Sequence, residues 1–223
     1  MVIEISIKEI AIIGGSNYGV QSYVINDQLT YLSPLEDVEV ISITKDSISL
    51  INSSIPSLPK KLSALNGTQL SNGDLVLSGG YYMSGYEDWD GYDDGSEDLN
   101  TEWFDVEVCN DEILHYKLGS NQWTKVGTMK NLRRNYSSVW IEGCLLTTGG
   151  ENNVQSFMNN RRNIEHIWKT TSHHEEFSLN EGVKERKELP IVLKCHTATK
   201  FGHRKMIVCG GEGNSVSYPF SKL

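Results

Sequence analysis

Four glycine doublets, Gly14-Gly15, Gly79-Gly80, Gly149-Gly150 and Gly210-Gly211, each close an apolar run: IAIIGG, LVLSGG, CLLTTGG and MIVCGG. Successive doublets are 65, 70 and 61 residues apart, so the chain reads as an array of similar units. Paired glycines at a strand end permit positive φ and close backbone approach at a crowded turn. One doublet constrains little; four in the same context constrain the whole chain.

Offsets inside the units repeat as well. Counting from Tyr116, Trp123 lies seven residues on and Met129 six further. The same steps from Ile43 reach Leu50 and Pro56, and from Phe177 they reach Lys184 and Pro190. Gly73 and Gly143 each precede a doublet by six residues and mark hairpin turns, SNG and IEG, with KFGHRK as the third equivalent. A unit is therefore two strands (NYSSVW, CLLTTGG), a long connection, and two more strands (EILHYKL, QWTKVGTM). The expected units are residues 1–59, 60–130 with an acidic insertion at 85–106, 131–190 and a partial 191–223. Two complete units are expected in the middle, with incomplete ones at each end. Four-stranded repeats that bury their faces only by stacking on neighbours predict an all-β fold.

The stretch Glu107–Gly150 resembles a kelch repeat through Tyr116, Trp123, Met129, Arg133, Tyr136 and Gly149-Gly150. The flanking repeats depart from it, with Leu50 and Lys184 at the Trp position and Ser63 and Leu193 at the Arg position. The resemblance implies a β-propeller of four-stranded antiparallel kelch-like blades. Three and a half units imply a partial arc of a larger propeller or a small ring of about four blades. It also implies that Arg133 makes structural contacts at a blade junction. Kelch repeats serve intracellular adaptors and galactose-oxidase-like enzymes alike, so they speak to fold before function.

Charge is unevenly placed. Of 29 acids, twelve fall between Glu87 and Glu112 with no Lys or Arg among them, leaving 17 against 20 basic residues elsewhere. Such a segment repels nucleic acid and suits a basic partner or a divalent cation. It interleaves Glu87, Asp88, Asp90, Asp93, Asp94, Glu97 and Asp98 with Tyr86, Trp89 and Tyr92. That pattern reads either as a recognition loop whose aromatics anchor a basic protein segment or as a solvated insertion. Arg134 on a unit connection, and Arg161 and Arg162 after the third doublet, are candidate cations for carboxylates of the same partner. An EF-hand reading of Asp90, Asp94 and Gly95 fails, because its third position is Tyr92 and its twelfth Thr101.

No phosphate loop, zinc-protease helix or nucleophile elbow is present. In HHEE (173–176) adjacent strand side chains point to opposite faces, so His173 and His174 are read as surface histidines rather than metal ligands. No catalytic residue, metal or cofactor is assigned. The four cysteines lack metal-type spacing and are read as free thiols in a reducing, cytoplasmic compartment, with Cys144 and Cys209 as small buried hydrophobes. The N-terminus lacks the apolar core of a signal peptide, and no apolar run reaches the roughly 20 residues of a membrane span. The expected function is a non-enzymatic protein–protein interaction module, an adaptor or substrate-recognition scaffold that binds through long loops on one rim. The alternatives are an enzyme on a galactose-oxidase-like propeller and a truncated fragment without independent function.

Overall fold

Strands are the only regular elements among the described residues of the computed structural model, which are 2–6, 9–20, 30–51, 54–88, 102–158 and 164–213. The first set is β1 (Val2–Ser6), β2 (Glu9–Ile13), β3 (Ser16–Val20), β4 (Thr30–Pro34), β5 (Val38–Ile43) and β6 (Ile48–Ile51). The second is β7 (Asn66–Gln69), β8 (Leu75–Ser78), β9 (Tyr81–Asp88), β10 (Glu102–Cys109), β11 (Glu112–Tyr116) and β12 (Trp123–Thr128). The third is β13 (Ser137–Ile141), β14 (Cys144–Thr148), β15 (Glu151–Met158), β16 (Ile164–Thr170), β17 (His174–Ser178) and β18 (Gly182–Glu185). A last hairpin joins β19 (Thr197–Lys200) to β20 (Met206–Cys209).

Each full set makes one antiparallel four-stranded sheet and one separate hairpin. The sheets run β1-β2-β5-β6, β7-β8-β11-β12 and β13-β14-β17-β18, and the hairpins are β3-β4, β9-β10 and β15-β16. An incomplete unit was expected at the N-terminus, but VIEIS pairs with β2 and completes a fourth strand there. The sheets follow one another in chain order, with first strands β1, β7, β13 and β19 in succession.

The stacking follows from the two-residue period of strands. In β8, Leu75 and Leu77 face the first sheet, where they meet Ala11, Ile13 and Val40 together with Leu114 and Tyr116 of β11. Val76 faces the other way and packs with Ile113, Leu145 and Phe177. LVLS is thus an unbroken buried run because its sheet is covered on both sides. Each of its three apolar side chains contributes about 1.5–3 kcal/mol of burial. Tyr116 and Trp123, the aromatic pair of the sequence, touch at 5.4 Å between ring centroids. The Trp123 indole donates to the Pro56 carbonyl at 2.9 Å, tying the second sheet to the connection before it.

Strand pairing corrects three equivalences. Leu75–Tyr116–Trp123 lie in one cross-strand row, and the corresponding rows are Ile10–Ile41–Leu50 and Leu145–Phe177–Val183. Leu50 holds its place, but Ile41 rather than Ile43 matches Tyr116, and Val183 rather than Lys184 matches Trp123. The β5–β6 and β17–β18 turns differ in length from the β11–β12 turn, so fixed offsets slip. The third correction is at the Arg133 position, which Leu62 holds rather than Ser63. The carbonyls of Leu62, Arg133 and Leu193 each lie against the first glycine of a doublet.

Candidate partner-binding rim

Three short connections carry the residues from which the rim is built: 62–65, 133–136 and 193–196. In each, the third residue (Ala64, Asn135, Cys195) has φ between 50° and 56°. This left-handed kink turns the second residue toward the residue that follows a doublet: Ser63 bridges Tyr81, Arg134 bridges Glu151 and Lys194 bridges Glu212. The doublets make room for the crossing. A Cβ on Gly149 would lie 2.2 Å from the Leu193 carbonyl oxygen, and one on Gly79 would lie 2.6 Å from the Tyr136 ring. The connections 62–65 and 133–136 therefore each clamp the hairpin of their own unit and the previous sheet at one point, and 193–196 ties the third sheet to Glu212.

From these points the hairpins β3-β4, β9-β10 and β15-β16 rise side by side, β4 against β9 and β10 against β15. Long loops were expected after the doublets. Instead β9 and β10 pair without interruption from Tyr81↔Cys109 to Asp88↔Glu102. The density of acids disguised a strand pair whose backbone bonds do not depend on side-chain charge.

Where the hairpins meet, Arg134 joins them. Its guanidinium donates to Glu151 at 3.1 Å and to Glu107 at 2.5 Å, and its Cζ lies 3.6 Å from the Trp168 ring centroid and 5.1 Å from that of Tyr81. Lys194 reaches Glu151 Oε2 at 2.7 Å, and Asn135 donates at 2.8 Å to Oε1, the oxygen that Arg134 holds. Burial opposes the ionisation of Glu151, but Lys194, Asn135 and Arg134 outweigh it and hold its carboxyl below the usual range. Arg134 was expected to offer its charge to a partner. It is mostly buried and spends that charge inside, on two hairpins at once. Glu107, Glu151, Trp168 and Lys194 were not singled out from sequence.

Beneath this cluster sits Arg133, with no exposed surface. It donates to the carbonyls of Gly149 and His173, to Thr147 Oγ1 and to Glu175 Oε2. These bonds tie the connection after β12 to the third sheet. Glu175, given no structural role from the sequence, is 2% exposed and also accepts from the backbone of Lys130 and Asn131. The signal was available: Glu175 is two residues before buried Phe177, on the same strand face. His174 is half-buried, and desolvation lowers its pKa. Cys209, expected to be buried, is exposed, and Cys144 is half-buried.

Of the acid-and-aromatic residues, Tyr86, Glu87 and Asp88 lie at the far end of β9, opposite Phe104, Trp103 and Glu102. Trp89, Asp90, Tyr92, Asp93, Asp94, Glu97, Asp98, Arg161 and Arg162 lie outside the described residues. No cluster of three or more His, Cys, Asp or Glu side chains fit to hold a metal occurs among the described residues. No helix there is long and apolar enough to cross a membrane.

No protein-family model and no curated protein matches this chain. A solved structure titled "Structure of YjhT" aligns over 95% of this chain and 76% of that one, with a TM-score of 0.46 and 11% identity.

Proposed function

We propose that this chain is a kelch-type β-propeller segment that binds another protein, without catalysis, through the rim of hairpins. The observation that carries this reading is their placement: three consecutive sheets each send out a hairpin after the glycine doublet, and neighbouring hairpins touch. A rigid stack of sheets with adjoining excursions on one edge is an arrangement on which recognition surfaces are built. The four-stranded repeat, the Tyr116–Trp123 pair and buried Arg133 support the kelch assignment. The free thiols of Cys144, Cys195 and Cys209 are compatible with the cytoplasm.

The acids of 87–98 make a Lys- and Arg-rich segment the fitting partner, since steering between opposite charges raises association rates. The test is binding of an immobilised Lys/Arg-rich peptide, with a Glu-rich peptide as control. Substituting Glu87, Asp88, Asp90, Asp93, Asp94, Glu97 and Asp98 by Gln or Asn is expected to abolish binding, and added salt is expected to weaken that of the unaltered protein. Equal binding by the substituted protein would overturn the assignment.

A further inference from the structure

The sheets pack by a fixed rule: each turns one cross-strand row toward the sheet before it. In the second sheet this is Leu75–Tyr116–Trp123, and in the third it is Leu145–Phe177–Val183; Leu75, Tyr116, Leu145 and Phe177 are buried. In the first sheet the row is Ile10–Ile41–Leu50, equally apolar, yet Ile10 and Ile41 are only half-buried and Leu50 is exposed. Leu50 is 67% exposed, and beside it Ile48 is 74% exposed. Glu39 stands in the next row at the place of Glu175, opposite Ile12 as Glu175 is opposite Thr147. The face thus keeps the composition of one made for burial, down to the acid.

What covers such a face is also visible in this molecule. The second sheet's row meets small and β-branched residues of the sheet before it, Ala11, Ile13 and Val40. Among the described residues, β19-β20 presents a face of that kind with no sheet packed on it. Thr197 and Thr199 of β19 pair with Cys209 and Ile207 of β20, and Thr197, Thr199 and Cys209 are exposed. Ile207 precedes its doublet by three residues, as Val76 does, and Val76 packs on Leu145 and Phe177.

We infer that a second copy of this chain docks head to tail, its β19-β20 face covering the Ile10–Ile41–Leu50 face of the first sheet. The contact repeats between molecules the packing already made between sheets, and it stands independently of the hairpin rim. Because it is heterologous, it either closes into a ring of copies or propagates.

The experiment is sedimentation equilibrium of the full chain over a concentration series. The unaltered protein is expected to self-associate. Leu50→Glu and Thr199→Glu change exposed side chains, so both variants are expected to keep the far-ultraviolet circular dichroism of the parent. Each alone is expected to associate roughly tenfold or more weakly. Mixed, they are expected to form one-to-one dimers, because the mixture restores one intact pair of faces. A parent that stays monomeric would overturn the inference, and so would a mixture that does. Undiminished association of Thr199→Glu would also overturn it, by showing that the first-sheet faces pair with each other.

Discussion

Arg133 donates to Glu175 at 2.9 Å, with the two side chains 0% and 2% exposed, between the second and third sheets. A pair so placed contributes little over an apolar replacement, but losing one partner strands the other's charge in the interior. Arg133→Met is therefore expected to cost about 3–5 kcal/mol. The double change Arg133→Met with Glu175→Leu is expected to cost less than the sum of the two single changes. Urea unfolding of the two singles and the double measures both.

The glycines differ in what a methyl group would meet. At Gly149 it meets the Leu193 carbonyl at 2.2 Å with φ at +62°, whereas at Gly143 φ is +83° and nothing lies within 4 Å. Gly143→Ala is expected to lose only the conformational preference, about 1–2 kcal/mol. Gly149→Ala adds a clash with backbone, worth about 1–3 kcal/mol more. A smaller fall in thermal midpoint for Gly149→Ala than for Gly143→Ala would contradict the clamp.

The converse holds at the connections. Ala64 and Cys195 sit at φ near 50°, where a Cβ is unfavourable, while the equivalent Asn135 tolerates that region better. Ala64→Gly and Cys195→Gly are expected to stabilise by up to about 1 kcal/mol, offset in part by the greater freedom of glycine when unfolded. Asn135→Gly is expected to gain less and to lose the hydrogen bond to Glu151. Denaturation midpoints of the three variants rank them.

Acid should loosen the third unit first. Burial of His196, whose Nε2 lies 3.0 Å from Thr148 Oγ1, pushes its imidazole down to about 4. An unfolded histidine titrates near 6.5, so between about 6.5 and 4 the unfolded chain holds the extra proton. Stability from this group is complete above the upper value and falls as pH drops through the window, by about 3 kcal/mol in all. His196→Gln is expected to flatten the pH dependence of unfolding there. Glu151, Asp74 and Glu112, whose carboxyls lie below their ordinary range, release their share at lower pH. An unchanged slope in the variant would remove His196 from the account.

The repeat was legible because glycine and tryptophan mark geometry that other residues cannot replace. Gly79 and Gly149 stand where backbone and rings of the next connection pass, and Trp123 sends its N–H to the connection before it. The hairpins were not legible, since YYMSGYED carries its pairing in backbone amides while its acids suggest solvent. Glu175 escaped notice for a related reason: a carboxylate counts as a surface group until the buried arginine across the sheet junction is known. The slip from Ile41 to Ile43 came from counting along the chain, which turn length alters, where the ladder counts across strands.

The position of β8 has a consequence for how the molecule opens. Its strand neighbours are β7 and β11, its side chains are covered on both faces, and its sheet lies between two others. Its amides therefore have no local route to solvent, and their hydrogen exchange should report only global unfolding. Amides of β6, on an outer edge with all four residues exposed, should exchange orders of magnitude sooner. Protection would then decay outward from the middle of the chain, so that residues 75–78 keep their deuterium record longest.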